Sequence, residues 1–353
     1  MPRSYTAMTT LITQKLQSAG TADFSVAEVD NQIEESLKEF SAYQPYIMPV
    51  IFKIESRYGE DVTGTASKLT DSVKSQFLAA DATDEKVVHN TTDNTWAVVL
   101  AQDSTSILSL SADIMAANEK YRIYNKRCTN KRQIFIGDMP KYIGIDSVEY
   151  PLGTRRNWKL LHGDQVLEID ADVIDDSNAN VTNKPNVDVL VRFIMPHVLS
   201  QLTDWAGTLA ASAAVAATAI STSGLQSAGT IEEGEELTIE NHRTTYVVVA
   251  DATIAANTAA VSIFPGLEAA ASSTWVITFR KSTLLPNQEE ILADLVAARL
   301  AINKASKFFN TVTVGGGSVW LNFENWGLQK LTETLLRLRQ QSTPKTKRRY
   351  PTG

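Results

Sequence analysis

One cysteine, Cys128, stands among 353 residues, so no internal disulfide can form; it reads as a small, partly buried side chain and not as a nucleophile. Only four histidines occur, His89, His162, His197 and His242, and none lies four residues from another or beside the cysteine, which excludes the usual zinc spacings. Long apolar runs are missing: the richest stretch, Leu209 to Ile220, is mostly alanine and falls short of the ~18 residues a membrane span needs. Met1-Pro-Arg-Ser-Tyr5 has no charged-then-apolar leader, so maturation in a cytoplasm is expected. Positive charge is in deficit, with a formal net charge of −7, which does not suit a surface that wraps nucleic acid.

Catalytic motifs are missing as well. Gly315-Gly-Gly-Ser318 lacks the Lys-Ser/Thr of a phosphate loop and reads as a hinge, and neither a Gly-x-Ser-x-Gly elbow nor a dinucleotide fingerprint occurs. Asp170, Asp172 and Asp175 invite a calcium reading, but an EF-hand loop needs Gly and Glu where Asp175 and Val181 stand. They read as a solvated loop. A carboxylate pair such as Asp93 with Asp113 has no matching nucleophile or acid. The expectation is a protein without turnover, cofactor or metal.

What is present is the material of a globular core: 43% apolar and 21% charged residues. Met8, Leu11, Ile12 and Leu16 mark one amphipathic helix, and Val26, Val29, Ile33, Leu37 and Phe40 a second. Ser25 with Glu28 forms a capping box that starts the second, and Pro45 and Pro49 turn the chain to extended structure. Far downstream, Pro286 and Asn287 open a third helix with Glu289 and Glu290 in its first turn. Its stripe is Ile291, Leu295, Ala298, Ile302, Ala305 and Phe309; a last helix carries Leu328, Leu331, Leu335 and Leu338 on one face. Four such helices must cover one another, so both chain ends are expected to share one core.

The middle is rich in Val, Thr, Ile and aromatics, punctuated by Gly, Asn and Asp, and reads as β structure. It repeats loosely. Glu85 to Leu100, Ile107 to Leu110 and Tyr121 to Tyr124 match the rhythm of Glu236 to Ala250, Ala260 to Phe264 and Trp275 to Phe279. Either a true repeat or the common rhythm of small β-barrels produces this pattern. Between the copies, four more short strands run from Gln133 to Ile194.

Several segments resemble tailed-bacteriophage head-to-tail adaptor (connector, or head completion) proteins. They are Phe24-Ser-Val-Ala-Glu-Val-Asp-Asn-Gln-Ile33 followed by Glu39 to Tyr43, Ile145-Asp-Ser-Val-Glu-Tyr-Pro-Leu-Gly153 followed by Trp158-Lys-Leu, Leu190 to His197, and Leu284 to Arg299. The resemblance covers roughly residues 8–55, 131–200 and 280–340, and its weight lies in the order of these pieces. It implies an α+β chain: a helical bundle built from both chain ends with a small β-sheet, plus two inserted barrel- or sandwich-like β modules. The expected divisions are 1–57 and 283–340 for the helices, 129–202 for the β-hairpin part of the core, 58–128 and 203–282 for the inserts, and 341–353 for an extended basic tail.

The family's implied role is a virion neck protein: a homo-oligomeric ring, typically twelve-fold, beneath the portal. It would join the DNA-filled capsid to a stopper or tail protein and pass genomic DNA through its channel without reading sequence. Ile291, Leu295, Ile302, Leu331, Leu335 and Leu338 would form the helical core, and Lys345, Lys347, Arg348, Arg349 and Tyr350 would dock on the portal. The acidic loops with Asp170, Asp172 and Asp175, and with Glu232, Glu233, Glu235 and Glu236, would line the channel or face the next tail component. The alternative is a β-module tail appendage that binds a receptor or glycan.

Overall fold

A computed structural model describes residues 5–16, 24–173, 188–200, 204–308 and 319–341. The fold is α+β. Its helices are α1 (Tyr5–Lys15), α2 (Val26–Tyr43), α3 (Ala80–Thr83), α4 (Pro286–Phe308) and α5 (Val319–Gln341). The capping box forms as the sequence requires: the Ser25 hydroxyl accepts from the Glu28 N–H at 3.2 Å, and the Ser25 N–H donates to the Glu28 carboxylate at 2.9 Å.

Two compact units result. The first holds Met1–Tyr46, Met195–Asp204 and Arg280–Gly353. Within it Met8 and Ile12 of α1, Val29, Ile33 and Phe40 of α2, Ile291, Leu295 and Leu300 of α4, and Leu338 of α5 share one apolar cluster. Leu292, Ala293, Leu295, Val296, Ala297 and Ala298 are all fully buried, so α4 is covered on several sides and is the central helix.

The second unit holds Ile47–Ile194 and Trp205–Phe279. It begins with β1 (Tyr46–Lys53) and a first module of β2 (Tyr58–Glu60), β3 (Lys68–Thr70), β4 (Val87–Asn90), β5 (Thr95–Ser104), β6 (Ile107–Leu110) and β7 (Lys120–Tyr124). Then come β8 (Gln133–Phe135), β9 (Gly144–Glu149), β10 (Arg155–Arg156), β11 (Trp158–Leu161), β12 (Val166–Ile169) and β13 (Asp188–Met195). A second module follows with β14 (Trp205–Leu209), β15 (Ala219–Ser223), β16 (Ala228–Ile231), β17 (Glu236–Ile239), β18 (Tyr246–Val248), β19 (Ala252–Ala255), β20 (Ala259–Phe264) and β21 (Val276–Arg280). Residues 129–194, grouped with the helices in the sequence reading, fall in this second unit because β13 pairs with β1 and β9 in a four-stranded sheet, β1-β13-β9-β10.

The two modules share one connectivity. The first is a six-stranded sheet in the order β2-β7-β4-β5-β6-β3; the second is a closed barrel, β14-β15-β20-β18-β17-β21, with β16 and β19 set aside as a hairpin. Numbering each module's own six strands in chain order, both run 1-6-3-4-5-2 around the sheet. The strands that correspond are those aligned by the loose sequence repeat: β4 with β17, β5 with β18, β6 with β20, β7 with β21. Alternate residues point inward on each, Val261 and Ile263 on β20, Ile277 and Phe279 on β21, Tyr121 and Ile123 on β7. The first module stays open as a sheet, although the Val62 N–H donates to the Thr70 carbonyl at 2.8 Å just beyond β2 and β3.

Candidate functional site

Three leucines of the α5 stripe face the core as their spacing suggests: Leu338 lies in the apolar cluster and Leu331 and Leu335 pack against it, whereas Leu328 stays outside. Among the described side chains of this helix, Gly327, Thr334 and Leu338 are the buried positions, and Leu331 and Leu335 are half-buried beside them. Gly327 sets the seam: a Cβ there would lie 2.9 Å from the Ala298 carbonyl oxygen and 2.7 Å from Cγ1 of Ile302, so α4 and α5 approach closely only because that atom is missing. Leu328 is 47% exposed, with Leu321, Trp326 and Leu336 exposed on the same helix. Of the six residues expected in the helical core, Ile291, Leu295 and Leu338 are buried, whereas Ile302, Leu331 and Leu335 are half-buried.

Ion pairs fix the helices around this face. Asp294 of α4, only 5% exposed, takes Lys15 of α1 at 2.6 Å, Lys330 of α5 at 3.5 Å and Arg337 of α5 at 3.4 Å. Arg299 of α4 donates to Glu39 of α2, through Nε at 3.0 Å. Lys304 lies over the rings of Phe24 and Phe323, about 5 Å from each.

The expected docking residues Lys345, Lys347, Arg348, Arg349 and Tyr350 lie outside the described residues, as does Asp175. Asp170 and Asp172 are exposed just after β12, and Asp172 pairs with Arg132 at 3.2 Å. Glu232 is exposed and Glu233 half-buried, its carbonyl accepting from the Lys141 ammonium at 2.8 Å. Glu235 and Glu236 correct the reading of this run as a solvent-facing loop, since both are buried, at 0% and 4% exposure. The barrel wall starts before the acids end: the Val248 N–H donates to the Glu235 carbonyl at 3.0 Å, and Glu236 is the first residue of β17.

Reactive side chains are engaged elsewhere. Cys128 packs with Tyr124 and Val166, and burial pushes its thiol up to about 12, too high for a thiolate at neutral pH. His89 stacks on Trp96 with ring centroids 3.8 Å apart, and His197 Nδ1 lies 2.9 Å from the Thr283 hydroxyl. Asp113 accepts from the Ser67 N–H at 3.0 Å, while the neighbouring Glu119 carboxylate raises the Asp93 carboxyl above its usual range. Among the described residues no group of three His, Cys, Asp or Glu side chains is arranged to hold a metal.

A buried charge cluster was not foreseen from sequence. Arg57, fully buried, donates through Nε and Nη2 to Glu55 at 2.9 and 2.7 Å, and through Nη1 and Nη2 to Asp81 at 3.0 and 2.6 Å. Its Nη1 also donates to the Gln76 carbonyl at 2.7 Å, and Lys86 adds contacts to Glu55 at 2.6 Å and Asp81 at 3.2 Å. Burial alone would raise both carboxyls, but the Arg57 and Lys86 charges outweigh it and hold Glu55 and Asp81 well below the usual range. Two cations and two anions satisfy each other, which makes the cluster a structural tie of β1 to the α3 turn. No protein-family model matches the chain, and comparison with curated proteins and with solved structures gives no match.

Proposed function

We propose that the chain is a head-to-tail adaptor of a tailed bacteriophage, a structural protein that closes into a ring beneath the portal and passes DNA without chemistry. The supporting observation is the apolar flank of α5. Leu321, Leu328 and Leu336 are left at the surface along one side of a helix whose other side closes the core, and a neighbouring copy would cover them. In this reading the helices from both chain ends form the ring-building bundle, and the two β modules are insertions in the chain. The basic segment 341–353 reaches the portal, and Asp170, Asp172 and Glu232 offer negative charge to the channel or to the next tail component.

Light scattering with negative-stain imaging of the full chain tests the proposal. A ring of about twelve copies is expected, and Leu328→Glu with Leu336→Glu should reduce it to monomers of unchanged helix content. A monodisperse monomer at high concentration, or a ring indifferent to both substitutions, would count against it. Removing residues 341–353 should abolish co-purification with the portal protein and leave the fold intact. One observation favours the second reading, a receptor-binding appendage: Trp96, Val98 and Leu100 expose a row of apolar side chains along β5. That reading predicts a trimer.

A further inference from the structure

A cleft of about 200 Å³ opens within the second unit, among β1, the segment that follows α3, the chain after β7, and the turn after β20. Much of its wall is apolar, with Ile54, Leu78, Ile134, Phe264 and Leu267 among its lining residues. Charged groups also line it, and nearly all have partners. Lys53 pairs with Asp188 at 3.5 Å, Lys126 with Glu85 at 2.8 Å, and Glu268 with Arg243 at 3.3 Å. Glu55 and Lys86 belong to the buried cluster already described.

Asp84 is the exception. Its backbone N–H closes α3 on the Ala80 carbonyl at 2.9 Å, but among the described residues no hydrogen bond or ion pair engages its carboxylate. Lys86, the nearby cation, is committed to Glu55 and Asp81. Burial is the largest influence on Asp84 and pushes its carboxyl up to about 6; Lys86 and Arg57 oppose the shift, and the Asp81 and Glu55 charges add to it. A half-buried carboxylate without a hydrogen-bonded or ion-paired partner beside an apolar cleft is complementary to a cation carried on an apolar stem. A divalent metal does not fit, because it needs about six oxygen ligands and the neighbouring carboxylates are already spent on Arg57, Lys86 and Arg243. At a share of roughly 30 Å³ per water-sized atom, the cleft holds about six non-hydrogen atoms.

We infer that this cleft binds a primary alkylammonium group, with its nitrogen on the Asp84 carboxylate and its short stem against the apolar wall. A free amine and a lysine side chain of another protein carry the same group. Saturation-transfer NMR of the full chain with n-pentylamine at pH 7.5 tests the assignment, with Nα-acetyl-lysine methylamide as a second probe. Saturable binding of pentylamine is expected, weakened at least tenfold by Asp84→Asn and at least tenfold for 1-pentanol. Binding should also fade as the pH drops below about 6 and Asp84 takes up a proton. Capped lysine binding alongside pentylamine assigns the site to a protein side chain; pentylamine binding alone assigns it to a free amine. Asp138→Asn, at an exposed carboxylate on the rim, should change affinity less than twofold. Absence of saturable binding, equal affinity for pentanol, wild-type affinity in folded Asp84→Asn, or loss of binding in Asp138→Asn instead would overturn the assignment.

Discussion

Replacing Arg57 with methionine should open the first β module from within. The substitution keeps an unbranched stem and deletes five side-chain hydrogen bonds, two to Glu55, two to Asp81 and one to the Gln76 carbonyl. Glu55 and Asp81 would remain, at 4% and 0% exposure, with Lys86 as the one cation between them. Removing one partner from a buried ionic group costs about 3–5 kcal/mol, a large part of the ~5–15 kcal/mol that holds a domain folded. Both carboxyls sit below their usual range in the folded protein, so their contribution is present above about pH 4 and fades as the pH falls through the lower folded values. Without the guanidinium, burial would raise them instead, and protonation near pH 4 would relieve part of the damage. The deficit should therefore be largest at pH 7 and shrink toward pH 4. Two compact units need not unfold together, so the assay is native-state amide exchange read residue by residue. Ile123, whose N–H donates to the Arg57 carbonyl at 3.0 Å, and Phe77, bonded to Thr105 at 2.9 Å, are the reporters. A loss of protection below about 1 kcal/mol at pH 7, or one equal at both pH values, would refute the reasoning.

Gly327→Ala inverts the usual helix rule. Alanine in an exposed helix interior gains about 1 kcal/mol over glycine, but here the new methyl meets the Ala298 carbonyl, and we expect a net loss of about 1–3 kcal/mol by denaturant unfolding of the helical unit. Asp84→Asn should stabilise the protein at pH 8. The folded carboxyl holds its proton up to about 6, so wild-type stability falls between about pH 4 and 6 as the unfolded chain ionises first. Allowing for partial exposure, the variant should gain about 2 kcal/mol at pH 8 and nothing below pH 4 in urea titrations. A gain that does not depend on pH would contradict this.

Local signals were legible in the sequence where one residue decides one piece of backbone. Ser25 and Glu28 make the capping box, and Pro286 is the first residue of α4. The loose repeat was legible as well, because each module's last four core strands keep the same alternation. Its first two strands were missed: β2 and β3 are three residues each, too short to carry a period. Most of the α5 seam is legible, since Leu331, Leu335 and Leu338 meet the core as their spacing suggests, but helical spacing gives no weight to a glycine. Gly327 draws the partner backbone to its own side, and Leu328 stays outside. The Arg57 cluster was invisible for another reason. Arg57 and Asp81 are 24 positions apart, and charged residues at that separation read as ordinary surface until folding buries them. The assignment of Glu235 and Glu236 to a loop failed similarly, since a run of acids suggests water and here the barrel ladder reaches back into it.

The ion pair of Lys15 with Asp294 joins residues 279 positions apart. On a ribosome adding about 5–20 residues per second, that separation is a wait on the order of 15–60 s between the emergence of α1 and that of its partner. Throughout it the apolar sides of α1 and α2 lack α4, while the β modules, whose strand pairs are all internal to them, can already complete themselves. The order of manufacture thus withholds the helical unit until α4 and α5 have emerged.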